Sequence, residues 1–301
     1  MTLSPRWAGA AVVALLLPGC LAFHSGPMPG EPRGATFATL HGVRVRYVDR
    51  GEGPPVVLLH GFASALETWS GVMPALQPRH RVVALDLKGF GWTDRPAGDY
   101  GPQAQARLVV ALLDHLGIAQ ADVVAHSWGA SVALALAADQ PDRVRRVALY
   151  DAWALDVQLP TFFRWARVGG VGEALFGLFY AERPEDRIAR AFFDPTTLTE
   201  AFLDEVRRAL ERPGTTAAAL AAARGQRFDE LEARWRTVRQ PVLLLWGEND
   251  AVSWPADGAR LQHLLPDARL RMYPRCGHFP MIEAPVASTA DLVAFLDGGL
   301  R

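Results

Sequence analysis

The sequence predicts an α/β fold: a doubly wound, mostly parallel, eight-stranded sheet with a helical cap inserted after the sixth strand. Three observations support this prediction. Apolar runs rich in Val and Leu recur along the chain, as is typical of parallel strands covered on both faces. Helical patterns alternate with these runs. One long interval, between Asp151 and Pro241, contains helix-like segments separated by Pro and Gly but no strand signal. That interval is therefore expected to be the cap.

The strands can be assigned in chain order. The alternating stretch VRVRYV follows the His41-Gly42 turn and predicts a hairpin with one solvated face. Continuous apolar runs then predict buried strands at VVLLH (56–60), VVALDL (82–87), VVAHS (123–127), VALYD (147–151), VLLLWG (242–247) and LRMYP (270–274). Helices are predicted at 103–116, 131–138, 258–265 and 286–296. Because the strands are parallel, ligands should bind at their carboxyl ends.

The first residues, MTLSPRWAGAAVVALLLPGC, are predicted to be an export signal rather than part of the fold. The apolar run from Trp7 to Leu17 is shorter than the roughly 20 residues that a membrane-spanning helix needs. It ends in Leu17-Pro18-Gly19-Cys20, which resembles the lipobox of bacterial lipoproteins and implies cleavage before Cys20 and lipid attachment to it. Ordinary secretory cleavage after Ala22 and an uncleaved anchor stay open as alternatives.

The chain is therefore divided into a signal peptide at 1–19, a lipid-anchored tether rich in Gly and Pro at 20–35, a core at 36–153 and 240–301, and a cap at 154–239. We expect an exported protein of the bacterial cell envelope, anchored to a membrane through Cys20, and to the outer membrane if one is present. The formal net charge of −1 gives no positive field for nucleic acid. The two cysteines offer no disulfide framework and no metal-type cluster, so no metal is predicted.

The stretch VVAHSWGAS makes Ser127 the candidate nucleophile. It nearly matches G-x-S-x-G, the strand-to-helix turn that presents a catalytic serine. Positions two before and two after the serine must be small, because strand and helix approach closely there. Gly129 meets this requirement, and Ala125 adds only one methyl group. A serine hydroxyl attacks a carbonyl only if a base takes its proton and a third group orients that base.

The base is predicted to be His278, in the loop PRCGHFP that follows the last strand. The other histidines fall in helical patterns, beside strands, in turns or next to the serine. The orienting acid is predicted to be Asp250, in the loop after VLLLWG. Asp151, at the end of VALYD, is the alternative, since it can reach the same histidine from another strand end.

The donors to a developing oxyanion are predicted to be the backbone N–H groups of Phe62, after the strand ending HGF, and of Trp128. Aromatic residues are abundant in the cap, and most of them are expected to pack its own small core. Trp153, Phe162 and Phe279 are the residues expected to line a substrate pocket.

In this order, the HGF loop, DLKGFGWTDRP at 86–96, the turn at Ser127, Asp250 and His278 resemble the α/β-hydrolase family. The resemblance covers 36–301. It implies a serine hydrolase with a helical cap, and Ala125 and Lys88 are its departures from the common pattern. Relatives that dehalogenate alkanes or open epoxides use aspartate as the nucleophile, whereas a serine suits acyl transfer.

We therefore expect a cofactor-independent serine hydrolase, a carboxylesterase that acts on small to medium apolar esters through an acyl-enzyme. Two alternatives stay open. The first is a carbon–carbon bond hydrolase of ring-fission (dienoate) products. The second is a catalytically idle, surface-anchored binding protein on the same scaffold. The sequence does not identify the substrate or the oligomeric state.

Overall fold

The computed structural model describes residues 21–299, so the predicted signal peptide and Cys20 lie outside the described residues. Eight strands form one sheet in the order β1-β2-β4-β3-β5-β6-β7-β8. The strands are β1 Thr36–Leu40, β2 Val43–Arg50, β3 Pro55–Leu59, β4 Arg81–Leu85, β5 Ala121–His126, β6 Val144–Tyr150, β7 Val242–Gly247 and β8 Ala268–Tyr273.

The sheet is mostly parallel, which confirms the predicted fold class. β2 pairs antiparallel with both β1 and β4, and every other pairing is parallel. Ala125 on β5 pairs with Leu59 on β3 and with Leu149 on β6. Leu149 pairs in turn with Leu244 on β7. Because these four strands are aligned in register, the loops that follow them meet at one edge of the sheet.

Helices cover both faces of the sheet. They are α1 Met73–Leu76, α2 Pro102–His115, α3 Gly129–Asp139, α4 Thr161–Ala166, α5 Val171–Phe179, α6 Pro184–Ala189, α7 Glu200–Glu211, α8 Thr215–Gly225, α9 Phe228–Leu231, α10 Pro255–Leu264, α11 Pro280–Glu283 and α12 Pro285–Leu296. Alternate residues of one strand enter different cores: Val57 and Leu59 pack with α2 and α3, whereas Val56 and Leu58 pack with α12. This is why the strand sequences are continuously apolar.

The cap consists of α4 to α9, between β6 and β7. Its interior is a small cluster that includes Ala166, Phe176 and Tyr180 of the first cap helices and Leu220 of α8. Phe62 of the core packs against this cluster. The cap therefore rests directly on the loop that follows β3.

The N-terminal segment departs from the prediction of a tether with little to bury. His24 and Arg95 exchange two backbone hydrogen bonds, of 2.9 and 2.8 Å. Met28 is buried, and Glu31 accepts two hydrogen bonds from the Arg44 guanidinium. Residues 24–31, predicted to be part of the tether, therefore pack against the domain, whose complementary surface provides both burial and hydrogen-bond partners.

Between residues 21 and 299, none of the helices has the length and apolar character needed to cross a bilayer.

Candidate active site

Ser127 lies on the tight turn between β5 and α3. Its φ of 51° is in the left-handed region, which costs a non-glycine residue about 1–3 kcal/mol. Two hydrogen bonds hold the turn against the end of β6. The Ser127 N–H donates to Tyr150 O at 2.9 Å, and Ser127 O accepts from the Trp153 N–H at 3.0 Å. The surrounding structure thus fixes the strained residue in place.

The positions two residues before and after Ser127 explain the imperfect motif. A Cβ atom at Gly129 would lie 2.4 Å from His60 O, so this position requires glycine. Ala125 is completely buried within β5 and keeps its pairing with both neighbouring strands. The extra methyl group is therefore accommodated in the core, without a break in the sheet.

The three side chains predicted to react lie in one hydrogen-bonded chain. Ser127 Oγ is 2.9 Å from His278 Nε2, and His278 Nδ1 is 2.7 Å from Asp250 Oδ2. In the tautomer that allows both bonds, the hydroxyl donates to Nε2 and the Nδ1–H donates to the carboxylate. All three residues are buried. The hydroxyl is therefore placed to give its proton to the imidazole.

Asp250 is held by its own loop. Its Oδ1 accepts hydrogen bonds from the Val252 N–H at 2.7 Å and the Ser253 N–H at 3.0 Å. Since Oδ1 is engaged by the backbone, Oδ2 is the oxygen left to face His278. The carboxylate thus fixes both the ring orientation and the tautomer of the histidine.

Asp151, the alternative acid, does not take this position. Its Oδ1 accepts from the Gly247 N–H at 2.9 Å. Burial, followed by the nearby Asp250 carboxylate, raises the pKa of Asp151 well above its usual value. Asp151 therefore takes up a proton more readily than an ordinary aspartate does, and it is Asp250 that contacts His278.

Two other buried histidines support the site, and sequence reasoning assigned them no role. His126 Nε2 donates to the backbone carbonyl of His278 at 2.8 Å. His60 accepts from the Leu87 N–H at Nε2, 2.9 Å away, while its Nδ1 donates to Gly61 O at 2.7 Å. Burial lowers the pKa of both rings. Both are therefore neutral groups that hold the loops after β3 and β8.

The backbone N–H groups of Phe62, in the loop after β3, and of Trp128, directly after Ser127, belong to two loops that meet at the serine turn. Neither donates to a protein acceptor within residues 21–299. The Phe62 and Trp128 rings are 6.1 Å apart, so the two loops are in contact. A Cβ atom at Gly61 would lie 3.0 Å from Ser127 Cβ, which shows how closely the HGF loop approaches the serine. Two backbone N–H groups without a protein acceptor among the described residues therefore lie in loops that adjoin the serine turn.

Glu283 joins the histidine loop to the cap, a link that no sequence motif indicated. Its Oε1 accepts from the Gly277 N–H at 3.0 Å and the Phe279 N–H at 3.3 Å, on either side of His278. Its Oε2 accepts from the N–H of Phe193, a cap residue, at 2.7 Å. The His278 N–H in turn donates to Ala191 O of the cap at 2.7 Å. The position of the histidine therefore depends on the cap.

The three expected pocket residues lie in different surroundings. Trp153 contacts the serine turn through its N–H, and its indole N–H donates to Gln226 at 2.8 Å. The Phe279 ring lies 5.5 Å from the His278 ring. Phe162 instead stacks on Phe176 inside the cap, with the ring centroids 5.1 Å apart. Trp153 and Phe279 are thus beside the site, whereas Phe162 packs the cap core.

Among the described residues, the one group with metal-ligand potential consists of Asp151, Asp250 and His278, whose donor atoms lie within 4.8 Å of one another. The His278–Asp250 hydrogen bond uses two of these donor atoms. Two members of this group, His278 and Asp250, therefore belong to the hydrogen-bonded chain that includes Ser127, whereas Asp151 accepts from the Gly247 N–H.

Comparison with known proteins agrees with this architecture. Residues 54–285 match the family model of the alpha/beta hydrolase fold. The chain is 32% identical over 253 residues to a 2-hydroxy-6-oxo-2,4-heptadienoate hydrolase of Pseudomonas putida, covering 80% of this chain and 88% of that protein.

Two crystal structures are similar over most of their length. The protein Cfl2 from Burkholderia cenocepacia superimposes with a TM-score of 0.78 at 30% identity, covering 90% of this chain and 99% of that one. An enol-lactonase from Burkholderia xenovorans LB400 superimposes with a TM-score of 0.71 at 26% identity. The match covers 87% of this chain and 100% of that one. With the fold, the sheet order and the family match in agreement, this chain belongs to the alpha/beta hydrolase family and is a hydrolase.

Proposed function

We propose that this protein hydrolyses carboxylic esters through an acyl-enzyme formed on Ser127. The observation that carries the proposal is the continuous contact from Ser127 Oγ through the two ring nitrogens of His278 to Asp250, with separations of 2.9 and 2.7 Å. Side chains at hydrogen-bonding distance in this order match the geometry required of a nucleophile, its base and an orienting acid.

In the proposed first half-reaction, Ser127 Oγ attacks the ester carbonyl carbon while His278 Nε2 takes the hydroxyl proton. The carbonyl oxygen becomes an oxyanion, to which the N–H groups of Phe62 and Trp128 donate. Donors of this kind contribute about 2.7–4 kcal/mol each to transition-state stabilisation. The protonated His278 then donates its Nε2 proton to the leaving alcohol, and the acyl group stays on Ser127.

In the second half-reaction, water replaces the alcohol. His278 takes a proton from this water, which attacks the acyl carbon, and the carboxylic acid leaves as Ser127 regains its proton. Asp250 stabilises the imidazolium in both halves without being protonated itself. These steps use protein groups and water alone. The substrate is a small-molecule ester that reaches the serine beneath the cap, since Ser127 and His278 are both buried.

A second candidate is hydrolysis of a carbon–carbon bond in a dienoate product of ring fission. It is favoured by the similarity to the heptadienoate hydrolase of Pseudomonas putida. That similarity covers 80% of this chain. The similarity to an enol-lactonase favours the ester. Assaying a 2-hydroxy-6-oxo-dienoate beside p-nitrophenyl butyrate and phenyl acetate separates the two, because the proposal requires the higher kcat/KM for the esters.

The nucleophile is tested by Ser127→Ala, with turnover of p-nitrophenyl butyrate as the measurement. We expect kcat to fall by about 10⁴-fold or more, since loss of a serine nucleophile elsewhere costs about 2 × 10⁶-fold. The matched control is Ser70→Ala, at an exposed serine, which should keep wild-type turnover. Ester hydrolysis by folded Ser127→Ala at the wild-type rate would refute the proposal. A wild-type protein inactive on both esters and dienoates would favour a binding protein instead.

We further propose that the protein is exported and carries lipid on Cys20, as the lipobox-like Leu17-Pro18-Gly19-Cys20 suggests. Several acyl chains on one residue give stable attachment, whereas a single chain binds only marginally. Mass spectrometry of the mature N-terminus tests this. A diacylated or triacylated peptide beginning at Cys20 is expected, and an unmodified start at Phe23 would contradict it.

A further inference from the structure

Helix α5 of the cap is apolar around nearly its whole circumference. Its sequence is VGEALFGLF, and its single charged residue, Glu173, pairs with Arg224 at 2.9 Å. Gly172 and Phe176 face inward and are buried in the cap. A helix that is hydrophobic on all sides is normally covered on all sides. The outward side of α5 is therefore a surface that lacks a cover among residues 21–299.

The exposed apolar residues continue from α5 back to the end of α4, since the Gly172 N–H donates to Val168 O and the Val168 N–H donates to Trp165 O, both at 3.0 Å. We call this surface the cap apolar face. Its side chains are between 43% and 59% exposed, and they are Trp165, Val168, Val171, Leu178 and Phe179. These five are drawn from only twelve large hydrophobic side chains that are exposed in the described part of the chain. Isolated exposed apolar residues need no explanation, but a cluster of this kind marks an interaction surface.

The N-terminus enters the structure beside this helix. Leu21 packs on the cap cluster that contains Phe176 of α5 and Leu220 of α8. Leu21 and Glu173 also line one cavity of about 600 Å³. The described part of the chain therefore begins next to α5, the helix that carries much of the cap apolar face.

A membrane suits this surface better than a second copy of the chain. Stable protein interfaces use roughly 20–30 residues on each side, and the face offers five large apolar side chains on one helical hairpin. The twenty residues before Leu21 include the apolar run from Trp7 to Leu17. If that run is retained or Cys20 carries lipid, as proposed above, the chain reaches the bilayer next to α5, so this inference rests on the proposed membrane attachment.

We propose that the cap apolar face docks on the surface of a lipid bilayer. Amphipathic surfaces of this kind insert about 5–10 Å into the boundary between headgroups and acyl chains, a depth that large side chains such as Trp165 and Leu178 can reach. The docked cap faces the membrane while the sheet stays in water. This interaction goes beyond the proposed ester chemistry and does not depend on Ser127.

The test places a nitrobenzoxadiazole fluorophore on Leu178→Cys in the full-length protein, reconstituted in vesicles of phosphatidylethanolamine and phosphatidylglycerol. Leu178 is 59% exposed, so the substitution leaves the core intact. The matched control is Val286→Cys, on α12 of the core, which is 85% exposed. The remaining thiol of the described chain, Cys276, is buried. Ester turnover of each labelled protein reports that it is folded.

Docking predicts that the probe at 178 shifts to the blue in vesicles and is quenched by lipids with brominated acyl chains, while the probe at 286 does neither. A second readout uses quenching of the protein's tryptophan fluorescence by brominated lipid. The Trp165→Phe variant should show less of this quenching than the wild-type protein, whereas the Trp254→Phe variant should show as much. Equal quenching at 178 and 286 would overturn the proposal. Shielding of the 178 probe from aqueous iodide without quenching by brominated lipid would also overturn it, because it would show that protein covers the face.

Discussion

The site at the strand ends and the cap above it are built in contrasting ways. At the strand ends, Asp250, His278 and Ser127 each lie on a short loop after a strand, and backbone bonds fix both the serine turn and Asp250 Oδ1. The cap consists of short helices between Gly and Pro residues, with part of its apolar surface exposed. The difference shows that the three side chains are positioned mainly by the ends of the strands, with the cap adding contacts to the histidine loop.

The largest effect is expected from a change to Asp250, the acid that contacts His278. In Asp250→Asn, the amide oxygen should keep the bonds from the Val252 and Ser253 N–H groups, which places the NH₂ group against His278 Nδ1. The ring must then carry its proton on Nε2 and cannot accept the serine proton. We expect kcat to fall by about 10⁴-fold, as for the equivalent change in another serine hydrolase, with unchanged thermal stability.

Steady-state kinetics on p-nitrophenyl butyrate measure this effect, with Glu248→Gln as the control, since Glu248 is an exposed neighbour in the same loop. Wild-type kcat in Asp250→Asn would show that Asp250 does not orient the base.

A smaller effect is expected where the site meets the cap. Glu283→Gln should keep an oxygen for the Gly277 and Phe279 N–H groups but turn its NH₂ group towards the Phe193 N–H, so that the bond to the cap is lost. A typical intramolecular hydrogen bond contributes about 0.5–1.5 kcal/mol, and this one is exposed to solvent. We expect a rise in KM with a fall in kcat, together about tenfold in kcat/KM. Unchanged kinetics alongside a lowered Tm would mean that Glu283 serves stability alone.

Asp151→Asn tests whether Asp151 differs from Asp250 in both charge and role. A neutral amide resembles the protonated acid, so kcat should change little. The pKa of Asp151 is raised in the folded protein, so above the pKa of the unfolded state the folded state holds a proton that the unfolded state releases. Wild-type stability should therefore fall as pH rises, relative to that of Asp151→Asn.

The free energy of unfolding in urea, compared for the two proteins at about pH 5 and about pH 8, gives this difference. A difference that is constant with pH would contradict a protonated Asp151.

The smallest effect is expected at Ala125→Gly, which restores the usual motif. Glycine within a strand destabilises by about 0.5–1 kcal/mol relative to alanine, and the methyl group of Ala125 is fully buried. We expect slightly lower stability and wild-type kcat. Urea unfolding and ester turnover measure both, and a marked gain in kcat would show that the methyl group distorts the serine turn.

The positions of Ser127, Asp250 and His278 after their strands could be predicted because apolar runs mark strands locally in the sequence. The parallel register of those strands then brings the loops that follow them together. The run VVAHS gave β5 and the turn after it, and Asp250 could be preferred to Asp151 from its loop. Other features depend on tertiary complementarity, which no local pattern records. The sequence around His24 and Met28 is typical of a tether. In the folded protein, however, His24 pairs with Arg95 and Met28 is buried. The Glu283 contacts arise only after folding, and β8 is half exposed because it is the sheet edge.

The most direct test of the central claim is covalent labelling of the full-length protein by a fluorophosphonate, followed by mass spectrometry of the peptide carrying the label. A serine whose proton is taken by His278 and whose phosphonate oxygen is received by two backbone N–H groups should react stoichiometrically. We predict one phosphonate per chain, on Ser127, and none after His278→Ala. An unlabelled Ser127 in folded protein, or equal labelling after His278→Ala, would contradict the account.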